Sequence, residues 1–87
     1  MNPLSNILLE RYLIETPHTA QDCQLLVDQI YAMGYLHHFE WGCKSGVHSG
    51  WAILDAENED QAKLAVPSIL RGKARVIKLN RFSGEAD

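Results

Sequence analysis

Cysteine is nearly absent, with 2 in 87 residues, and proline and glycine are sparse at 3 and 6. So few cysteines exclude a miniprotein held by a disulfide framework, and so little Pro and Gly excludes a collagen-like or low-complexity chain. Long hydrophobic runs are missing too: although 46% of the residues are hydrophobic, no stretch approaches the roughly 20 consecutive apolar residues that span a bilayer. There is no excess of positive charge either. Eleven acidic side chains against 8 basic give a net charge of −3 with His neutral, a balance that works against binding a phosphate backbone. The start, Met1–Leu9, has neither the basic segment nor the small-residue cleavage site of a secretory leader. Together these absences predict one soluble, cytoplasmic domain over residues 1–87, ordered from about residue 10 to 82, with its thiols reduced. A chain this short buries only about 60% of its unfolded surface, so a partner subunit, a metal or a disulfide is expected to help.

What is present organises into alternating elements. Arg11–Thr16 reads as a strand that Pro17 ends by removing a donor. A helix is predicted next, with Thr19 as N-cap, Asp22 in its first turn, an apolar stripe of Cys23, Leu26, Val27, Ile30 and Met33, and Gly34 as a left-handed C-terminal cap. Leu36–Cys43 reads as a second strand, Lys44–Gly50 as a polar, mobile hairpin loop and Trp51–Ala56 as a third strand. Asn58-Glu59-Asp60-Gln61 matches a capping box opening a second helix with Ala62, Ala65, Val66, Ile69 and Leu70 as its apolar stripe, which Pro67 should kink or split. Ala74–Phe82 alternates as a fourth strand, leaving Ser83–Asp87 as a frayed tail.

The order β-α-β-β-α-β with right-handed crossovers predicts an α+β, ferredoxin-like fold: a four-stranded antiparallel sheet with both helices on one face. Strand parity assigns Tyr12, Ile14, Trp51 and Ile53 to the open face and Leu13, Ala52 and Leu54 to the helix side. An apolar open face needs a cover, and a second copy of the chain supplies it in a homodimer. Ser49-Gly50-Trp51-Ala52-Ile53-Leu54 offers a partial match to an RNA-recognition strand, with Tyr12 as a second stacking plate. It lacks the leading basic residue and carries Ile53 and Ala56 where aromatics are expected. Five basic residues, Arg71, Lys73, Arg75, Lys78 and Arg81, cluster near the C-terminus, as charges on an edge strand that stay solvated do.

In this topology His18, Cys23, Cys43 and His48 converge at one end of the sheet. Two thiolates and two imidazoles form the ligand set of a tetrahedral transition-metal site such as Zn²⁺. The five-residue spacings from His18 to Cys23 and from Cys43 to His48 match no finger signature. Each residue also has a plainer reading: Cys23 packs in the helix stripe, Cys43 at a strand end, and His18 and His48 are solvated in loops. A Cys23–Cys43 disulfide is an alternative that would be transient or redox-sensing in a reducing compartment. A small-ligand enzyme or redox protein could use the same residues, but no third orienting group or oxyanion hole can be read, and the pattern favours binding over catalysis. His37 and His38, adjacent in a strand, should point to opposite faces, with His38 beside Glu40. Lys44, Arg71 and Lys73 are expected at the same end, where with the helix N-terminus they could hold a small anion.

The phrase Glu15-Thr16-Pro17-His18-Thr19 followed by Cys23, and later Phe39-Glu40-Trp41-Gly42-Cys43 with Gly46, His48 and Gly50-Trp51-Ala52, resembles small bacterial proteins of the dimeric α+β-barrel, ferredoxin-like type. The resemblance spans roughly Arg11 to Phe82. It implies two sheets packed into a dimer, in a group whose members include metal binders, monooxygenases and other small-substrate enzymes, and many proteins with no assigned activity. It carries over no catalytic residue.

Overall fold

Strand β1 (Glu10–Glu15) opens the computed structural model, which describes residues 8–82, and helix α1 (Cys23–Ala32) follows it. Strands β2 (Phe39–Trp41) and β3 (Gly50–Ala56), helix α2 (Glu59–Lys63) and strand β4 (Arg75–Lys78) complete the chain order. The tail expected over Ser83–Asp87 lies outside the described residues. The four strands form one antiparallel sheet in the order β2-β3-β1-β4. It is an α+β arrangement in which α1 is the main helix and α2 is a short one.

Register decides which face each strand residue occupies. Tyr12 stands opposite Leu54 and Ile14 opposite Ala52, while Leu13 faces Ile53 and Glu15 faces Trp51. Directly opposed residues share a face, so Tyr12 and Ile14 lie with Ala52 under the helices and Leu13 joins Trp51 and Ile53 on the open side. This corrects the expected partition. Tyr12 is 6% exposed and Ile14 fully buried, in one core with Leu26 and Ile30 of α1, Ala62 of α2, and Val66. Parity within each strand is sound, but the two strands are offset by one residue from the expected alignment, and a one-residue slip exchanges the faces.

The first helix begins later than its sequence signals imply. Ala20–Asp22 is a 3-10 turn, and the Thr19 hydroxyl donates to the Asp22 carboxylate at 3.1 Å instead of capping a backbone N–H. Its end follows expectation: Gly34 has φ +84°, and the N–H groups of Gly34 and Tyr35 donate to the carbonyls of Tyr31 and Ile30, the paired bonds of a Schellman motif. Within the stripe Leu26 and Ile30 are buried and Met33 is exposed. Strand β2 is shorter than expected because Leu36–His38 is a second 3-10 turn. Consequently His37 and His38 do not diverge to opposite faces; their rings lie 4.1 Å apart.

At α2 the Asn58 side chain accepts the Gln61 N–H at 2.8 Å, whereas the Gln61 side chain accepts from Glu57, so the capping box closes on only one side. Pro67 splits this region as expected: α2 stops at Lys63 and a 3-10 turn, Ser68–Leu70, follows. Ile69 is left 66% exposed. Pro67 has no N–H to offer Lys63; the Lys63 carbonyl accepts instead from the Val66 N–H and, with the Val66 carbonyl, from the Arg71 guanidinium. On edge strand β4, expected to reach Phe82, Arg75 pairs with Glu15 and Lys78 with Glu10. The hydrogen bond and charge of Glu10 hold the Lys78 amine above its ordinary pKa.

Candidate functional site

The site is built where β1 leaves the sheet and β3 enters it. Thr16, only 2% exposed, exchanges two backbone hydrogen bonds with Gly50, and its hydroxyl meets the same glycine's carbonyl and N–H. Gly50 permits this approach because a Cβ there would lie 2.7 Å from the Trp41 ring and 3.0 Å from the Thr16 hydroxyl. Two residues on, the His18 N–H donates to the His48 carbonyl at 3.0 Å. The first and third strands thus carry their loops to one place.

His18 is oriented by the strand end. Its Nδ1 lies 2.8 Å from the Thr16 carbonyl oxygen; a carbonyl only accepts, so Nδ1 carries the hydrogen and, in the neutral ring, Nε2 keeps its lone pair. That Nε2 lies 3.2 Å from Cys43 Sγ. The Trp41 ring approaches the imidazole edge-on with centroids 6.0 Å apart.

Cys43 opens a 3-10 turn, Cys43–Ser45, between β2 and β3. The loop expected to be mobile is wound tight: the N–H groups of Ser45 and Val47 both donate to the Gly42 carbonyl, and that of Gly46 to Cys43. Cys23 is the first residue of α1. The two cysteines form a disulfide across a sequence separation of 20, with Cα atoms 7.0 Å apart. The donor atoms of His18, Cys23 and Cys43 all lie within 4.8 Å of one another, each residue partly buried.

Of the four expected ligands, three therefore form one cluster. His48 stands beside it, its ring centroid 6.4 Å from that of His18 and its Nδ1 buried with no hydrogen-bond partner among the described residues. The expected basic trio is spread over different elements. Lys44 follows β2 and Lys73 precedes β4, and these strands are opposite edges of the sheet; Arg71 is engaged by the carbonyls after α2. Burial of Tyr12 removes the second stacking plate of the RNA-recognition reading. Trp51 donates its indole N–H to Glu15 at 2.9 Å.

Thr16, Trp41 and Gly50 belong to the site, although the sequence places them only in the resemblance, and Gly50 in the partial RNA-recognition match, without a role at the cluster. Each acts through a cross-strand neighbour; the local signals were a β-branched polar residue just before Pro17 and His18, and the neighbourhood of Trp41 and Gly50 to Cys43 and His48 in the sequence. Open depressions of about 640 and 460 Å³ lie elsewhere, the first between Tyr35, Leu54 and Leu64 and the second over Leu13, Trp51 and Ile53. Among the described residues no helix is long and apolar enough to cross a membrane. No family model, curated protein or solved structure matches the chain.

Proposed function

We propose that the protein, with Cys23 and Cys43 reduced, binds a transition metal ion of the Zn²⁺ type through their thiolates and His18 Nε2. The observation that carries this reading is the three-donor cluster, with every donor atom within 4.8 Å of the others. Around a tetrahedral zinc, with Zn–S near 2.3 Å and Zn–N near 2.0 Å, donors stand about 3.5–3.8 Å apart, so small side-chain rotations suffice once the sulfurs are free. The hydrogen bond from His18 Nδ1 to the Thr16 carbonyl is the outer-shell contact that metal-bound histidines use to fix their tautomer. Three protein donors leave a fourth position, and we assign it to His48, whose buried Nδ1 lacks a partner among the described residues, or to water.

The architecture supporting this site is read as ferredoxin-like, with α2 as a shortened second helix. A second copy is the proposed cover for the open face, through Leu13, Trp51, Ile53 and Ile77 in place of Tyr12 and Ile14. With this cover the protein would be akin to dimeric α+β-barrel proteins, and a reducing cytoplasm is the compartment in which its thiols would be available.

Elemental analysis of protein reduced, loaded with zinc and desalted tests the reading. About one zinc per chain is expected, and His18→Ala and Cys43→Ser should each lose most of it. Reduced wild-type protein that retains no zinc would overturn the proposal.

A further inference from the structure

We infer that the Cys23–Cys43 pair is a redox gate on this site, in which a low-molecular-weight disulfide oxidises the two thiolates to the protein disulfide and expels the metal. The inference rests on the metal-binding reading and names its regulation. The same two sulfur atoms occur in both arrangements: they are joined to each other, and they are two of the three clustered donors. A metal is bound by thiolate, not by a sulfur already in an S–S bond, so the two states exclude each other. Oxidation leaves His18 as the sole remaining member of the cluster able to donate.

In the disulfide state each member of the cluster is held by its own element. Cys23 is fixed at the start of α1 and Cys43 in a turn wound on the Gly42 carbonyl, while Thr16 holds His18 through its backbone. Access exists on the Cys43 side, where both cysteines are only partly buried and the next four residues, Lys44 to Val47, are exposed. The Cys43 thiolate attacks one sulfur of RSSR; that bond breaks, and the first RS⁻ leaves and takes a proton from solvent. The Cys23 thiolate then attacks Cys43 Sγ in the mixed disulfide, forming the Cys23–Cys43 bond and releasing the second RS⁻, which is protonated likewise. The protein loses two electrons, RSSR becomes two RSH, and the divalent ion departs unchanged in oxidation state.

Titration of zinc-loaded, reduced protein with oxidised glutathione tests this, with released zinc read by a chromophoric chelator and the protein by intact and peptide mass. One zinc should appear for each pair of thiols lost, with a Cys23–Cys43 peptide as product, and reductant plus zinc should restore the loaded form. His18→Ala should still form the disulfide while binding zinc at least about 10-fold more weakly in the reduced state. Zinc lost without a Cys23–Cys43 bond would overturn the gate while leaving the metal site standing, whereas zinc retained after the thiols are oxidised would overturn the gate and the thiolate ligation with it. Reduced protein that takes up no zinc would overturn both.

Discussion

At Gly50 the structure allows no side chain, because a Cβ would press into the Trp41 ring at 2.7 Å and the Thr16 hydroxyl at 3.0 Å. Gly50→Ala should therefore destabilise the protein by about 1–3 kcal/mol, the ordinary cost of overpacking, whereas Gly72→Ala, with nothing within 4 Å of its Cβ, should leave the urea midpoint nearly unchanged. Equal midpoints for the two variants would show that the Thr16–Gly50 contact does not constrain the site. At this scale the sequence was legible where residue chemistry alone decides: His18, Cys23 and Cys43 could be named as donors from their type and their place in the topology. Thr16, Trp41 and Gly50 could not, since each matters through a neighbour across the sheet. His48 sits between these cases, near the cluster by topology but placed outside the three-donor group by its side chain.

Among the elements, α1 and the Pro67 break were readable because local rules govern them: Gly34 closes a Schellman motif and proline cannot continue a helix. Lengths were less readable. The 3-10 turn at Leu36–His38 shortens β2 and sets the two histidine rings side by side, an outcome that the strand-like composition of Leu36–Cys43 conceals. Arg71 was expected to hold an anion and instead bonds the carbonyls of Lys63 and Val66. Removing it in Arg71→Ala leaves those carbonyls without their charged donor and should cost about 1–2 kcal/mol by denaturant titration, while Lys73→Ala, at an exposed position, should cost almost nothing. If Arg71→Ala matched Lys73→Ala, the guanidinium would have no part in ending α2. Which face each strand presents was the least readable property, because it depends on register and a single-residue offset moves Tyr12 and Ile14 from the open side to the core.

For the whole molecule, the corrected register makes the open face a band running from Ile53 across Leu13 to Ile77, with Trp51 alongside. Ile53 and Ile77 are 47% and 38% exposed, which is unfavourable for apolar side chains unless a partner covers them. Light scattering should give the mass of a dimer for the wild-type chain, and Ile53→Glu, which places a charge in the centre of the band, should shift it to monomer without unfolding. A wild-type monomer would end the dimer proposal, whatever the metal content. The cluster of His18, Cys23 and Cys43 brings together the start of α1, the β2–β3 loop and the end of β1, a kind of staple that small cores commonly use. The measurement that tests this centre most directly is X-ray absorption of the reduced, zinc-loaded protein. The predicted first shell holds two sulfurs near 2.3 Å and a histidine nitrogen near 2.0 Å, and a shell of nitrogen and oxygen alone would contradict it.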